Sequence, residues 1–311
     1  MANLGYIQLV RICNQKCRFC SNPDTDATLS VEDAKEQVDD FKQRGYDGII
    51  LTGGEPTLCP HLEELVKYAF EKGIEPRLIT NGQKTAERDL VEGLAEAGLK
   101  QVHISVHSHD EKLQGELTGN PDSLANIRKS LDLFKEYEIR VDVNITIQAF
   151  NAGQLDKVVF WLCKTWPHLS HFVFNTLDPT SDRVAENEDT IPKLRDLEIS
   201  LHRALSLLHK SGRTFRVERL PLCYMADFAW ASTETRKIVK GEERIVYFLD
   251  QKGMVRQTDF EHGKADVCKL CTLNDICAGL FAMGTHYSSE ELYPLFIPKE
   301  PIVAKVLADE D

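Results

Sequence analysis

The feature that most constrains this chain is a regular alternation of strand-like and helix-like segments through its first two thirds. Residues 6–12, 48–52, 76–80, 101–106, 141–147 and 172–175 are short runs rich in β-branched and apolar residues. Between and after them lie segments with a helical period, residues 30–44, 61–72, 87–97, 123–137, 155–166 and 191–209. Ser30 and Asp33 open the first helix as a capping pair, and Gly73 and Gly98 close the second and third. Leu124, Ile127, Leu131 and Phe134 share one side of the fourth. A strand that returns parallel to its predecessor needs such a crossover, so six units predict an α/β fold with a parallel sheet under helices. An open doubly wound sheet and a full or partial barrel both satisfy the pattern.

The alternation stops after Gly212 and Arg213. Residues 244–249 and 254–257 flank a turn that contains Gly253, which predicts a β-hairpin. A cysteine cluster follows. These features predict a large domain over residues 1–213 and a smaller α+β domain over 214–311. Residues 180–190 are polar and acidic and read as a surface loop. An apolar content of 42% is that of a folded globular chain. The net charge of −12 argues against nonspecific nucleic-acid binding, which needs a basic surface. No apolar run is long enough to span a bilayer, and the first residues carry no secretion signal, so the expected location is the cytoplasm, away from the membrane.

In parallel α/β folds, ligands bind at the C-terminal ends of the strands. The first strand here runs into Cys13, Cys17 and Cys20, the second into Gly53-Gly54-Glu55-Pro56-Thr57, and the third into Thr80-Asn81-Gly82. The fourth runs into Ser105, His107 and His109, the fifth carries Asn144 and Thr146, and the sixth ends at Asn175. Six strand ends thus deliver polar or glycine-rich residues to one edge. Of the nine cysteines, three lie within residues 13–20 and three within 268–277. Cys163 sits in an apolar stretch and reads as a core residue. Cys59 follows the glycine loop and stays open. With no secretion signal, clustered cysteines point to metal ligation rather than disulfides. Three thiolates in a CxxxCxxC loop can hold three irons of a 4Fe–4S cube and leave the fourth iron open. Zinc would want a fourth ligand, and this loop has none.

CxxxCxxC with Phe19 before the last cysteine, followed at the next strand end by Gly53-Gly54-Glu55-Pro56, resembles the signature of the radical S-adenosylmethionine (SAM) superfamily. The resemblance covers roughly residues 5–210 and implies a partial (β/α)6 TIM barrel. It also implies that Cys13, Cys17 and Cys20 hold a 4Fe–4S cluster whose open iron takes SAM. Gly53, Gly54, Glu55 and Pro56 would then meet the methionine moiety, with the Glu55 carboxylate offered to its ammonium group. Thr80 and Asn81 suit the methionine carboxylate or ribose, Ser105, His107 and Asn144 the ribose region, and Phe19 the adenine. His103 rivals His107 for the same face, and His109 reads as solvated.

Cys268, Cys271 and Cys277, with Gly279 close behind, resemble the auxiliary-cluster segment of SPASM and Twitch domains. The cysteine count implies one auxiliary 4Fe–4S cluster, the Twitch-like case, with Cys223 as fourth ligand. A three-cysteine cluster open to substrate and a structural zinc on the same thiolates are the alternatives. The resemblance implies an electron donor such as flavodoxin or ferredoxin. The expected substrate is a ribosomally made peptide, or else a small molecule of sugar, nucleotide or cofactor biosynthesis. The start of the chain so close to its first strand weakens the peptide reading. A noncatalytic metal-binding protein is the third possibility, opposed by the intact glycine loop. Asp178 and Tyr224 are candidate acids or bases by position alone.

Overall fold

The computed structural model describes residues 4–23, 25–242, 244–249, 254–257 and 262–308. β1 (Leu4–Val10) buries Ile7, Leu9 and Val10, and α1 (Val31–Gln43) follows. The Ser30 hydroxyl caps α1 by accepting the N–H of Asp33 at 3.1 Å. Next come β2 (Gly48–Gly53), α2 (Leu62–Glu71), β3 (Glu75–Thr80), α3 (Arg88–Glu96) and β4 (Gln101–Ser105). α4 (Glu111–Thr118) and α5 (Ser123–Glu136) lead to β5 (Arg140–Ile147), α6 (Leu155–Thr165) and β6 (His171–Thr176). The expected strands and helices are all present, with ends that move by a few residues. Leu124, Ile127, Leu131 and Phe134 are fully buried along α5, as their spacing requires.

Through residue 218, three elements go beyond the sequence reading. α4 starts at Asp110, whose carboxylate accepts the N–H of Leu113, and stops at Gly119, with φ 65°. Within residues 180–190, a short helix α7 (Asp182–Ala185) forms and Val184 and Thr190 are buried. The Thr190 carbonyl accepts the N–H of Ala149 at 2.8 Å, which ties the segment down. After α8 (Leu194–Lys210) comes the third, β7 (Thr214–Glu218), which buries Phe215 and Val217. The chain continues through α9 (Thr233–Lys240), β8 (Arg244–Tyr247), β9 (Met254–Gln257), β10 (His262–Gly263), β11 (Leu280–Phe281) and α10 (Glu300–Ala308).

The chain divides into two compact units. The first holds Met1–Arg18, Asn22–Asn144 and Arg244–Gln257. Here β1 to β5 pair parallel in chain order, with β8 parallel along the free side of β1 and β9 antiparallel beyond it. The expected hairpin thus exists, but its strands join this sheet rather than the C-terminal segment. The physical reason is the edge of β1, whose backbone groups need partners. Tyr247 fastens it, donating to Asp40 at 2.8 Å and packing edge-on to Phe41. Turn residues 250–253 lie outside the described residues. The second unit holds Phe19–Ser21, Ile145–Glu243 and Thr258–Asp311. In it β6 and β7 run parallel, with α6 against α8, and β10 and β11 form a small antiparallel ribbon.

Candidate active site

The glycines that end β2 are fixed by β1. Gly53 has φ 138°, and a Cβ there would stand 2.2 Å from the Val10 carbonyl oxygen. A Cβ on Gly54 would stand 2.3 Å from the Ile12 oxygen. Only glycine lets these backbones approach so closely. Gly54 then donates to the Val10 carbonyl, and Glu55 to that of Ile12 at 2.9 Å. The smallness of the two residues therefore serves the β1–β2 junction, before any ligand is considered.

The Glu55 side chain is completely buried. Its Oε1 accepts from the Thr57 N–H at 3.2 Å, the Thr57 hydroxyl at 2.6 Å and the Thr80 hydroxyl at 2.8 Å. Its Oε2 accepts from the Asn81 N–H at 2.7 Å. Desolvation pushes this carboxyl above the ordinary range, while the donors, Asn81 foremost, pull it back. Glu55 is thus a clamp between the ends of β2 and β3. Pro56 is buried at the start of the short turn that follows, and Cys59 is buried beyond it.

The same network reaches the cysteine loop. Asn81 Nδ2 donates to Asn14 Oδ1 at 2.7 Å and lies 3.6 Å from Cys13 Sγ. The Gln15 N–H also points at Cys13 Sγ, at 3.5 Å, and Cys17 Sγ lies 3.8 Å from Gln15 Oε1. The loop backbone docks on the end of α4, with Lys16 N–H donating to Thr118 O at 3.0 Å and Arg18 N–H to Leu117 O at 3.1 Å. Buried Gln15 and Gln114 both donate to the Ser123 hydroxyl, at 3.0 and 3.2 Å. Gln114 Oε1 in turn accepts the N–H groups of His107 and Ser108. Gln83, also buried, donates to the Asn81 carbonyl. Gln15, Gln83, Gln114 and Ser123 were missed by sequence reasoning. Only Gln15 carried a signal, its place inside CxxxCxxC.

Cys13, Cys17 and Cys20 form no disulfide among the described residues and are half-buried, and Phe19 is buried. Ser105 and Asn144 are register partners on β4 and β5, both half-buried. His107 is buried, and desolvation lowers its pKa to about 4, so the ring is neutral near pH 7. His103 turns to Asp142 at 3.5 Å. His109, expected in solvent, is half-buried, because its Nδ1 is shielded with no partner among the described residues. In the second unit, Gln148 after β5 and Thr176 at the end of β6 are buried. Gln148 Nε2 and Thr176 Oγ1 have no partner among the described residues, which at strand ends marks them as available to a ligand. Asn175 is half-buried beside Thr176. Asp178 accepts from the N–H and hydroxyl of Thr180, and Tyr224 donates to the Glu291 carbonyl at 2.7 Å. Burial raises the Tyr224 pKa to about 12. Both acid–base candidates are therefore engaged in holding loops.

The other four cysteines meet within the second unit. Cys223, Cys268, Cys271 and Cys277 line one pocket, with Lys264, Gly279 and Tyr293 also on its wall. Burial pushes the Cys223 thiol to about 12 and raises that of Cys277. The Leu295 N–H points at Cys271 Sγ at 3.4 Å. Among the described residues, no three metal-capable side chains converge on a single-ion site. Four thiols on one pocket are a donor set that suits an iron–sulfur cluster or a zinc ion. Cys163 stands apart, half-buried in α6.

Residues 7–162 match the family model of the radical SAM superfamily. An AdoMet-dependent heme synthase of Oleidesulfovibrio alaskensis is 29% identical over 161 residues, 50% of this chain and 41% of that protein. The chain spans about half the length of the curated relatives that it matches in this way. A probable GTP 3',8-cyclase of Thermococcus kodakarensis is 26% identical over 295 residues, 93% of this chain and 92% of that protein. Among solved structures, Streptococcus suis SuiB bound to the precursor peptide SuiA superposes with a TM-score of 0.59 at 20% identity, covering 73% of this chain and 52% of that one. The shared fold is the α/β partial TIM barrel. The family model spans half of the chain and contains Cys13, Cys17, Cys20 and the Gly53–Pro56 loop, and the chain belongs to the radical SAM superfamily, whose cofactors are a 4Fe–4S cluster and SAM.

Proposed function

We propose that this enzyme cleaves SAM reductively and abstracts a hydrogen atom from its substrate, with a second 4Fe–4S cluster in the C-terminal part of the chain. A reduced 4Fe–4S cluster with SAM bound would supply one-electron cleavage of SAM and hydrogen-atom abstraction. Cys13, Cys17 and Cys20 hold the first cluster. Asn81 and Gln15 aim amide groups at Cys13, where N–H···S contacts stabilise thiolate charge. Glu55 sets the positions of Thr80 and Asn81, and in this reading it acts on SAM through them. Neutral His107 is able to accept a hydrogen bond. Cys223, Cys268, Cys271 and Cys277 hold the second cluster, and the observation that carries this assignment is that all four line one pocket.

The substrate is read as a ribosomally made peptide. Support comes from the fold shared with SuiB, solved with its precursor peptide. The second reading, a small molecule, is favoured by the near full-length alignment with the probable GTP 3',8-cyclase. A reductant such as flavodoxin or ferredoxin is the expected partner. The test is anaerobic incubation of the reconstituted, reduced protein with SAM. The reading expects 5′-deoxyadenosine from the wild type and none from Cys13→Ala. Its absence from the wild type, with candidate substrates of both classes present, would sink the proposal.

A further inference from the structure

β7 ends at Glu218, and the next residue leaves the strand in an uncommon way. Arg219 has φ 61°, a left-handed conformation that is costly for a residue with a Cβ. Its N–H donates to Oε1 of the buried Glu234 at 3.0 Å, which fixes the bend. Its guanidinium stands over the Phe281 ring, 5.0 Å from the centroid, within cation–π range. None of its guanidinium N–H groups has a protein acceptor among the described residues. A guanidinium stacked by its face keeps its edge donors available, in the fork that matches a carboxylate or a phosphate.

The surroundings leave that charge in place. Glu234 meets Arg219 at its backbone N–H rather than at its guanidinium, and desolvation raises the Glu234 pKa. His262, with its ring 5.4 Å from Phe281, is held neutral by burial and by the nearby Arg219 charge. Location supplies the next argument. Parallel α/β barrels collect their site residues at the C-terminal ends of the strands, which is the place Arg219 takes on β7. Phe281 belongs to β11, which pairs with β10 through His262 and Gly263. Lys264 and Gly279, on the segments flanking this ribbon, line the four-cysteine pocket.

We propose that Arg219, braced on Phe281, binds an oxyanion of the substrate, a carboxylate or a phosphate, beside the four-cysteine pocket. Calling the anion a substrate group rests on the radical chemistry proposed above; the binding itself does not.

The test is calorimetric titration of the reconstituted full-length protein at low ionic strength with inorganic pyrophosphate and, separately, with glutarate. At least one probe binds saturably, and Arg219→Met weakens it tenfold or more. Arg88→Met, which removes an exposed guanidinium of the other unit, leaves it unchanged. Tighter pyrophosphate binding identifies a phosphorylated substrate, and tighter glutarate binding a carboxylate. Arg219→Gly provides the second variant, since glycine adopts φ 61° without strain. Its thermal midpoint holds or rises while the probe is lost, a pairing that a purely structural arginine does not give. The proposal is overturned if neither probe binds the wild type, or if Arg219→Met or Arg219→Gly keeps wild-type affinity. The same samples are assayed for 5′-deoxyadenosine, so failure of the radical chemistry is read separately from failure of the anion site.

Discussion

Glu55 shows how a residue singled out by its motif takes a second role in the structure. Its place after two glycines marked it as a cofactor residue, whereas the structure surrounds it with four internal donors. Glu55→Gln turns an acceptor into a donor facing those groups. A buried donor left unsatisfied costs about 1–3 kcal/mol, so the variant unfolds at lower denaturant and binds SAM more weakly. Urea titration and equilibrium dialysis with SAM check the two effects. His107 gives a pH prediction. Its native pKa of about 4 lies below the unfolded value of 6.5, so the unfolded chain binds the extra proton between them. The stability it contributes is fully present above pH 6.5 and is lost as pH falls toward 4. That loss is about 1 kcal/mol by pH 5.5 and about 3 kcal/mol in all. His107→Asn flattens the slope, and unfolding curves at pH 7.5 and 5.5 for both proteins measure the difference.

Elements position these residues by backbone contact as much as by side chains. A Cβ at position 54 meets the carbonyls of Arg11 and Ile12, which cannot retreat without moving β1. Gly54→Ala therefore costs about 1–3 kcal/mol by overpacking and shifts the loop that starts at Cys13. Lower thermal stability together with lower iron content is the expected result. The cysteine loop also leans on α4 and α5 through Ser123. Ser123→Ala strands the amides of Gln15 and Gln114. The loop loosens, and iron is released to a chelator faster than from the wild type, which absorbance of the cluster follows directly. α4 was readable in principle, because Asp110 and Gly119 are ordinary start and stop signals. Its own apolar stripe is weak, since Gln114 and Thr118 lie among its buried residues. β7 was lost for a related reason: five residues of alternation give little signal beside a change in pattern.

For the whole molecule, the two cysteine sets predict about eight irons per reconstituted chain, four in each cluster. Cys13→Ala keeps about four irons and makes no 5′-deoxyadenosine, whereas Cys268→Ala keeps about four and still cleaves SAM. Iron analysis with electron paramagnetic resonance separates these outcomes. A zinc site on the second set instead gives one zinc and only the first cluster. The sequence by itself determined the parallel α/β order and the strand ends that carry Cys13, Cys17, Cys20 and the Gly53–Pro56 loop. Those follow from local periodicity and short motifs, which depend on neighbours along the chain. Only the tertiary structure decided that the hairpin of β8 and β9 completes the sheet beside β1. It brought Cys223, implied as fourth ligand by the cysteine count, into one pocket with three cysteines more than forty residues away, and it alone left Arg219 with donors to spare. Each of these is a pairing between distant segments, set by backbone groups that need partners and by burial, and no local pattern encodes it.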